Sequence, residues 1–238
     1  MNPFVILFYQ PILNLLVIIH NAMPGNDLGW AIIGLTLIIK IVLLPLSAKS
    51  LKSQKALQDI QPQMEEIKQK YKDNKEELGR KMMELYKKEK VSPFSSCLPL
   101  LIQLPFLFAI FQVLRDGLKN GALENLYPFV GAPESVNTLF LGIIELQNPS
   151  IILAVAAGIL QFVQTKMLTR KKQPNVPGSA DEGMASMMNK QMMYFMPIIT
   201  VIFGVSLPGG LTLYWTINTL MTIAQQLLVF KKPQPARR

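Results

Sequence analysis

A membrane-crossing helix needs about 20 mostly apolar residues. Five stretches of this chain read that way: about 28–48, 96–115, 150–168, 192–207 and 210–230. The last two are separated only by SLPGG at 206–210, a Pro-Gly turn suited to an antiparallel helical hairpin. Residues 3–20, PFVILFYQPILNLLVIIH, are apolar but barely long enough to span, with Pro11 mid-run and Gln10 and Asn14 one turn apart. The segment 1–27 is read as an extracytoplasmic interfacial helix. A sixth span is the alternative, and the flanking charges do not decide between them. The expected fold class is an all-α membrane protein of five transmembrane helices, with an N-terminal interfacial helix and a cytoplasmic helical hairpin.

The periodicity changes between the first two spans. In segment 49–93 apolar residues fall at Leu57, Ile60, Met64, Ile67 and Tyr71, steps of three and four that make a coiled-coil seam. After KDNKE the pattern resumes at Leu78, Met82 and Leu85. Two amphipathic arms that cover each other explain this pattern, leaving a basic outer face for docking a cytosolic partner. Segment 169–191 begins as TRKKQPNVPGSADEGMA, a loop by composition. It runs into Met184, Met187, Met188, Met192, Met193 and Met196, of which Met188, Met192 and Met196 share a helical face. Methionine suits adaptable binding of varied apolar segments, and equally suits ordinary helix packing at a membrane entrance.

Composition sharpens the class. Of 238 residues 50% are hydrophobic and only 16% charged, yet the formal net charge is +9. Soluble domains carry about 25% charged residues, so the balance argues against a soluble enzyme or nucleic-acid module. It requires the charges to sit in loops. Segments 49–93, 169–191 and the tail 231–238 are rich in Lys and Arg, and 116–149 is poor in them. The positive-inside rule then puts the rich segments and the C-terminus in the cytoplasm, and 116–149 and the N-terminus outside. The N-terminus has no Lys or Arg ahead of its apolar run, unlike an ordinary signal peptide. Cys97 is the lone cysteine and His20 the lone histidine, with no cluster of metal-ligand spacing. With no phosphate loop and no nucleophile elbow either, the chain is expected to be no enzyme, with no catalytic residue, metal or cofactor.

Lys40 is the most informative residue. It sits well inside the first span, and no span carries an acidic residue to pair with it. At 1.5 Å per residue over the 28–48 span, Lys40 lies roughly 12 Å from the inner end of the helix. A cation at depth costs about 2.5–3.5 kcal/mol on insertion scales, and snorkelling along a lysine stem recovers only part of that. Other polar groups share the depth. They are Thr36, one turn outward of Lys40, Gln103 on the second span, and Gln161 and Gln164 on the third. On the fifth, Trp215, Asn218, Thr222 and Gln225 follow one face. Each amide alone would serve as helix-helix glue. Gathered in the inner halves of four helices around an unpaired cation, they predict a wet groove open to the cytoplasm but not through the membrane. Pro45, Pro99, Pro105, Pro197 and Pro208 add kinks that keep helices splayed.

Three segments carry a family resemblance. MMELYKKEKVSPFSSCLPLLIQLPFLFAIF at 82–111 resembles the signature of the YidC/Oxa/Alb membrane protein insertases. GLTLYWTINTLMTIAQQ at 210–226 is similar to that family's last span, and WAIIGLTLIIKIVLLPLSAKS at 30–50 to its first. The resemblance implies a YidC-like, multi-pass protein of the bacterial inner membrane that inserts and folds nascent membrane proteins, alone or beside the Sec translocon. It implies that Lys40 stands where the family usually has a groove arginine, and that Thr36 and Trp215 match substrate-contacting positions and Gln103 a groove-lining one. It also brings in signal recognition particle or its receptor, and the ribosome, as candidate partners of the basic loops. Lysine keeps the charge but loses the bidentate fork of arginine. The short tail KKPQPARR weakens ribosome docking, and there is no large extracytoplasmic domain.

The residues leave two rivals. A small-anion transporter or channel would use Lys40 as its binding charge, although the chain has no inverted repeat and the outer halves offer no polar path. A purely structural assembly factor would not need Lys40 at all.

Overall fold

The structure, a computed structural model, describes residues 2–92, 98–116, 123–133, 135–168 and 193–231. Most of these are helical. A π-helical turn, Val5–Tyr9, runs into α1, Gln10–Ala22. Pro11 explains the wide turn: it donates no N–H and its ring crowds the carbonyl four residues back. A turn at Pro24–Asn26 leads into α2, Leu28–Val42. The helix does not run straight to residue 48. It breaks at Leu43 and resumes as α3, Leu44–Asp59, bent by 68°. Pro45 stands in the first turn of α3 and supplies the break. The same device recurs at Ile60, where Pro62 opens α4, Gln61–Lys70.

α5, Lys75–Lys88, folds back on α4, capped by the Asn74 side chain accepting from the Glu77 N–H at 3.0 Å. Ala56, Ile60, Leu85 and Val91 make a small core of their own, with Leu57, Met64, Ile67 and Tyr86 packed against it. Then follow α6, Leu98–Asp116, with Pro105 inside it, and α7, Ile151–Leu168. α8 is the short apolar helix Met193–Gly204, and α9 runs from Gly209 to Lys231. Among the described residues two helical stretches, Val5–Ala22 and Ile151–Leu168, are long and apolar enough to cross a membrane, and a third if α2 and α3 count as one bent span. Cys97, Met184, Met187, Met188, Met192, the whole of the 169–191 loop and residues 232–238 of the tail lie outside the described residues.

The described residues are mostly helical, as expected, with one short addition that the sequence did not announce. Within 116–149, β1 (Leu139–Phe140) pairs antiparallel with β2 (Ile144–Glu145). The turn puts Leu141 and Gly142 at φ +54° and +72°. Leucine is an unusual residue for that region, so the sequence carries no ordinary hairpin signal. The hairpin belongs to a plate that ties the helix ends together. Asp27 caps α2 by accepting from the Gly29 N–H at 2.7 Å, and the Leu28 N–H donates to the Asn137 carbonyl. The N–H groups of Gly209 and Gly210, at the start of α9, donate to the carbonyls of Asn148 and Leu146. These satisfy donors that a helix start leaves open.

The main core lies next to this plate. Leu13, Leu16 and Val17 of α1 pack with Ile32 and Leu35 of α2, Ile110 and Val113 of α6, and Tyr214 of α9. The helical hairpin's core is separate. α7 and α8 approach closely because their contact is built from small residues. A Cβ on Gly204 would lie 2.7 Å from the Ala154 Cβ and 2.9 Å from its Cα. A Cβ on Gly79, in α5, would meet nothing within 4 Å. Gly204→Leu is therefore expected to lower stability by about 1–3 kcal/mol through overpacking. Gly79→Ala should raise it by about 0.5–1 kcal/mol through helix propensity. Thermal unfolding of both purified variants in one detergent checks the opposite signs.

Candidate functional site

The elbow changes the setting of Lys40. With α2 ending at Val42, Lys40 falls in the last helical turn rather than midway along a longer helix. The depth counted to residue 48 therefore does not apply. A helix C-terminus carries partial negative charge on its unpaired carbonyls, which favours a cation there. The side chain is half-buried and crosses to α9, where its Nζ donates to Thr222 Oγ1 at 2.8 Å. The Thr222 hydroxyl in turn donates to the Asn218 carbonyl at 2.8 Å. Threonine suits this place because one hydroxyl can bond back to its own helix and still accept from a neighbour. An ammonium has three N–H donors. Among the described residues only Thr222 takes one, which leaves two for water or an anionic group.

A second link joins α6 to α9. Gln103 Nε2 donates to the Tyr214 hydroxyl, and the Tyr214 side chain is fully buried. Tyr214 is a site residue that sequence reading passed over. The signal available was chemical: a phenol in an apolar helix needs a partner, and Gln103 is one of few amides at hand.

The remaining expected residues are dispersed. Thr36 is buried, and its hydroxyl donates to the Ile32 carbonyl at 2.6 Å, along its own helix. Gln161 offers its backbone carbonyl to the Thr165 hydroxyl at 2.9 Å. Among the described residues the side chains of Gln161 and Gln164 make no hydrogen bond, to Lys40 or otherwise. Trp215, Asn218, Thr222 and Gln225 are all half-exposed, as one open face of α9 would be.

The buried polar stripe of α9 is a neighbouring one: Thr212, Thr219 and Gln226, seven residues apart and each 2% exposed or less. Gln226 keeps both side-chain polar atoms buried with no protein partner, and so does Oε1 of Gln225. Ser50 of α3, the helix that leaves the elbow and packs on α9, is likewise buried with its Oγ unpartnered. A buried amide left unpaired costs about 1–3 kcal/mol. These polar atoms lie on α2, α3, α6 and α9, with Tyr214 packed into the main core and Thr212 in the first turn of α9, near the plate. No group of three or more His, Cys, Asp or Glu that could hold a metal occurs among the described residues.

This arrangement can hold a negatively charged or strongly polar group against Lys40. At the end of the bundle away from the helical hairpin, the plate bonds to α1, α2 and α9. Asn14, midway along α1 and 2% exposed, donates through Nδ2 to the Asn125 carbonyl and accepts from the Tyr127 N–H. Asn21 Nδ2 donates to the Gly131 carbonyl at 2.9 Å.

Comparison with known proteins agrees over nearly the full length. The family described as 60Kd inner membrane protein matches residues 18–236. The chain is 37% identical over 207 residues to the membrane protein insertase YidC of Fusobacterium nucleatum, covering 87% of this chain and 88% of that protein. It is 34% identical over 218 residues to the membrane protein insertase YidC of Francisella tularensis subsp. novicida, which covers 92% of this chain and 35% of that longer one. A match of this extent, on a chain whose elbow lysine is bonded to its last helix, means that the protein belongs to the YidC/Oxa/Alb family of 60Kd inner membrane proteins.

Proposed function

We propose that this chain is a membrane protein insertase, and that it works without an enzymatic step. The observation that carries the mechanism is the Lys40 ammonium, which is held at the elbow by Thr222 and, among the described residues, has no partner for its other two N–H donors. A nascent segment arrives from the cytoplasm. Its acidic or polar flank enters the zone around Lys40, Gln103 and the open face of α9. Its apolar stretch slides along the outer surface of the helices into lipid. The groove shortens the low-dielectric path that the polar flank must cross, which lowers the barrier. Transfer of the substrate's own apolar surface supplies the driving force, so no nucleotide or cofactor enters.

The topology that fits this reading has five spans: α2 with the start of α3, α6, α7, α8 and α9. Segments 49–93 and 169–191 and the tail face the cytoplasm of a bacterium, and 116–149 faces outward. α1 lies along the outer interface. In support, Asn14 at its midpoint bonds to Asn125 and Tyr127 of the outer plate, whereas the midpoint of a spanning helix would lie at the bilayer centre. The partners are nascent membrane proteins and the lipid bilayer. The basic face of the hairpin and the basic loops suit the Sec translocon, signal recognition particle or its receptor, and the ribosome.

A small-anion transporter built on Lys40 would need an outer exit, and the hydrogen-bonded plate argues against one. A purely structural assembly factor would tolerate loss of the cation. Lys40→Ala and Lys40→Glu are therefore expected to slow insertion of a substrate with an acidic translocated tail by at least about tenfold, the equivalent of about 1.4 kcal/mol. Lys40→Arg should stay near wild type. Protease protection of the tail, in vesicles holding equal amounts of each variant, reads the effect. Equal insertion by wild type and Lys40→Glu would remove the electrostatic step.

Replacing 61–88 with a short flexible linker is expected to leave the spans inserted, because the hairpin's core is separate from the main one. It should reduce delivery of ribosome-bound substrate. Full activity of that variant would mean that the hairpin has no part in delivery.

A further inference from the structure

We propose that the tip of the β1–β2 hairpin, residues 141–143, is a lipid anchor that sits in the headgroup–acyl boundary of the outer leaflet, with Leu139 and Trp30 completing its apolar surface. Leu139, Leu141, Ile143 and Trp30 are all exposed, Ile143 to 77%. Side chains along the first strand alternate between faces. Phe140 is buried in the main core, while Leu139 and Leu141, its neighbours in sequence, are open. Phe140 also fixes the patch to the bundle. Its ring stands edge-on to Trp30 with centroids 5.8 Å apart. It lies over Gly29, where a Cβ would clash with it.

Two observations name the occupant. The first is the backbone of the turn. The Leu141 N–H donates to Asp27 Oδ2, the Gly142 N–H to the Leu139 carbonyl and the Ile143 N–H to the Phe140 carbonyl. Water or a partner protein brings acceptors of its own. Hydrocarbon brings none, so a donor that enters it needs a partner within the chain. Leu141 itself, at φ +54° and exposed, points the same way. Asparagine or glycine suits that backbone region better, and leucine returns a gain there only if its surface leaves water. Glu145, the one charged residue in 139–146, accepts from the Gln147 N–H at 3.0 Å, at the base of the hairpin rather than its tip.

The second observation is continuity with α2. Trp30, Leu37 and Ile41 are exposed and follow one face of that helix at steps of seven and four. They make an apolar stripe roughly 16 Å long. The hairpin patch joins this stripe at Trp30, and a membrane helix carries its tryptophans where hydrocarbon gives way to headgroups. An exposed apolar patch that continues a lipid-facing stripe is a membrane contact. The choice of leaflet rests on the outward assignment of 116–149 in the proposed function, whereas the contact with lipid does not.

The test uses the full chain in phosphatidylcholine vesicles that contain phosphatidylcholine with a photoactivatable group just below the headgroup. Crosslinked peptides are mapped by mass spectrometry. Both 139–146 and 37–42 are expected to be labelled. Leu141→Asn combined with Ile143→Ser should lower labelling of 139–146 at least about tenfold, because burial of one such side chain already shifts partition by that factor. Labelling of 37–42 should stay unchanged. Asparagine adopts positive φ more readily than leucine, so the double variant is expected to unfold in detergent no earlier than wild type. An unlabelled tip in the wild-type chain, or labelling that survives the double substitution, would overturn the anchor. Disulfide formation between copies carrying Ile143→Cys in a Cys97→Ser background, with lipid labelling of the tip absent, would overturn it in favour of a second copy. Insertion of an acidic-tailed substrate is measured in the same vesicles. Its absence in the wild-type chain would count against the insertase reading, while the labelling of 139–146 decides the anchor by itself.

Discussion

One hydrogen bond, from the Lys40 ammonium to Thr222, organises the membrane part of this chain. It joins the last turn of α2 to the middle of α9, and both ends of it are prepared. On α2 the unpaired carbonyls of a helix terminus favour the cation. On α9 the threonine hydroxyl is already fixed on the Asn218 carbonyl, so it presents its lone pair outward. A fully paired lysine would be a structural tie and nothing more. Here the tie takes one donor of three, and the residual charge can act on whatever enters.

The elbow at Leu43 makes this possible. Had α2 run on past residue 43, Lys40 would sit within an unbroken helix, with the carbonyls around it already used. The bend at Pro45 ends the ladder three residues after Lys40 and lays α3 against α9. The chain thereby holds two separate apolar cores, the main one beside the plate and the other in the helical hairpin. In the proposed reading, a polar path that stops at the plate would serve an insertase without a gate or an energy-coupled cycle.

How much of this was legible in the sequence varied with the kind of signal. The hairpin seam was, because a period of three and four residues reports local packing: Leu57, Ile60, Met64, Ile67 and Leu85 all fall in the second core. Lys40 was legible through the cost of a cation in an apolar run. Its position along the helix was not, since Pro45 turns an uninterrupted apolar stretch into two helices at 68°. The open face of α9 was chosen at the right spacing, yet the rotation of that helix in the bundle is set by tertiary packing. It buries Gln226 rather than its neighbour Gln225, and it points Tyr214 at Gln103, 111 residues away in sequence. The β-hairpin was hidden because Leu141 occupies a backbone region in which leucine is rare.

Water access along the helices tests the central claim most directly. In a Cys97→Ser background, single cysteines replace Gln103, Thr222 and Gln225 in the polar zone, and Ile33, Leu153 and Ile202 towards the plate. The account predicts that membrane-impermeant thiol reagents added from the cytoplasmic side label the first three, and that neither side labels the last three. Protection at all six would contradict it by revealing a dry bundle, and labelling of the first three from both sides would reveal a through-channel instead.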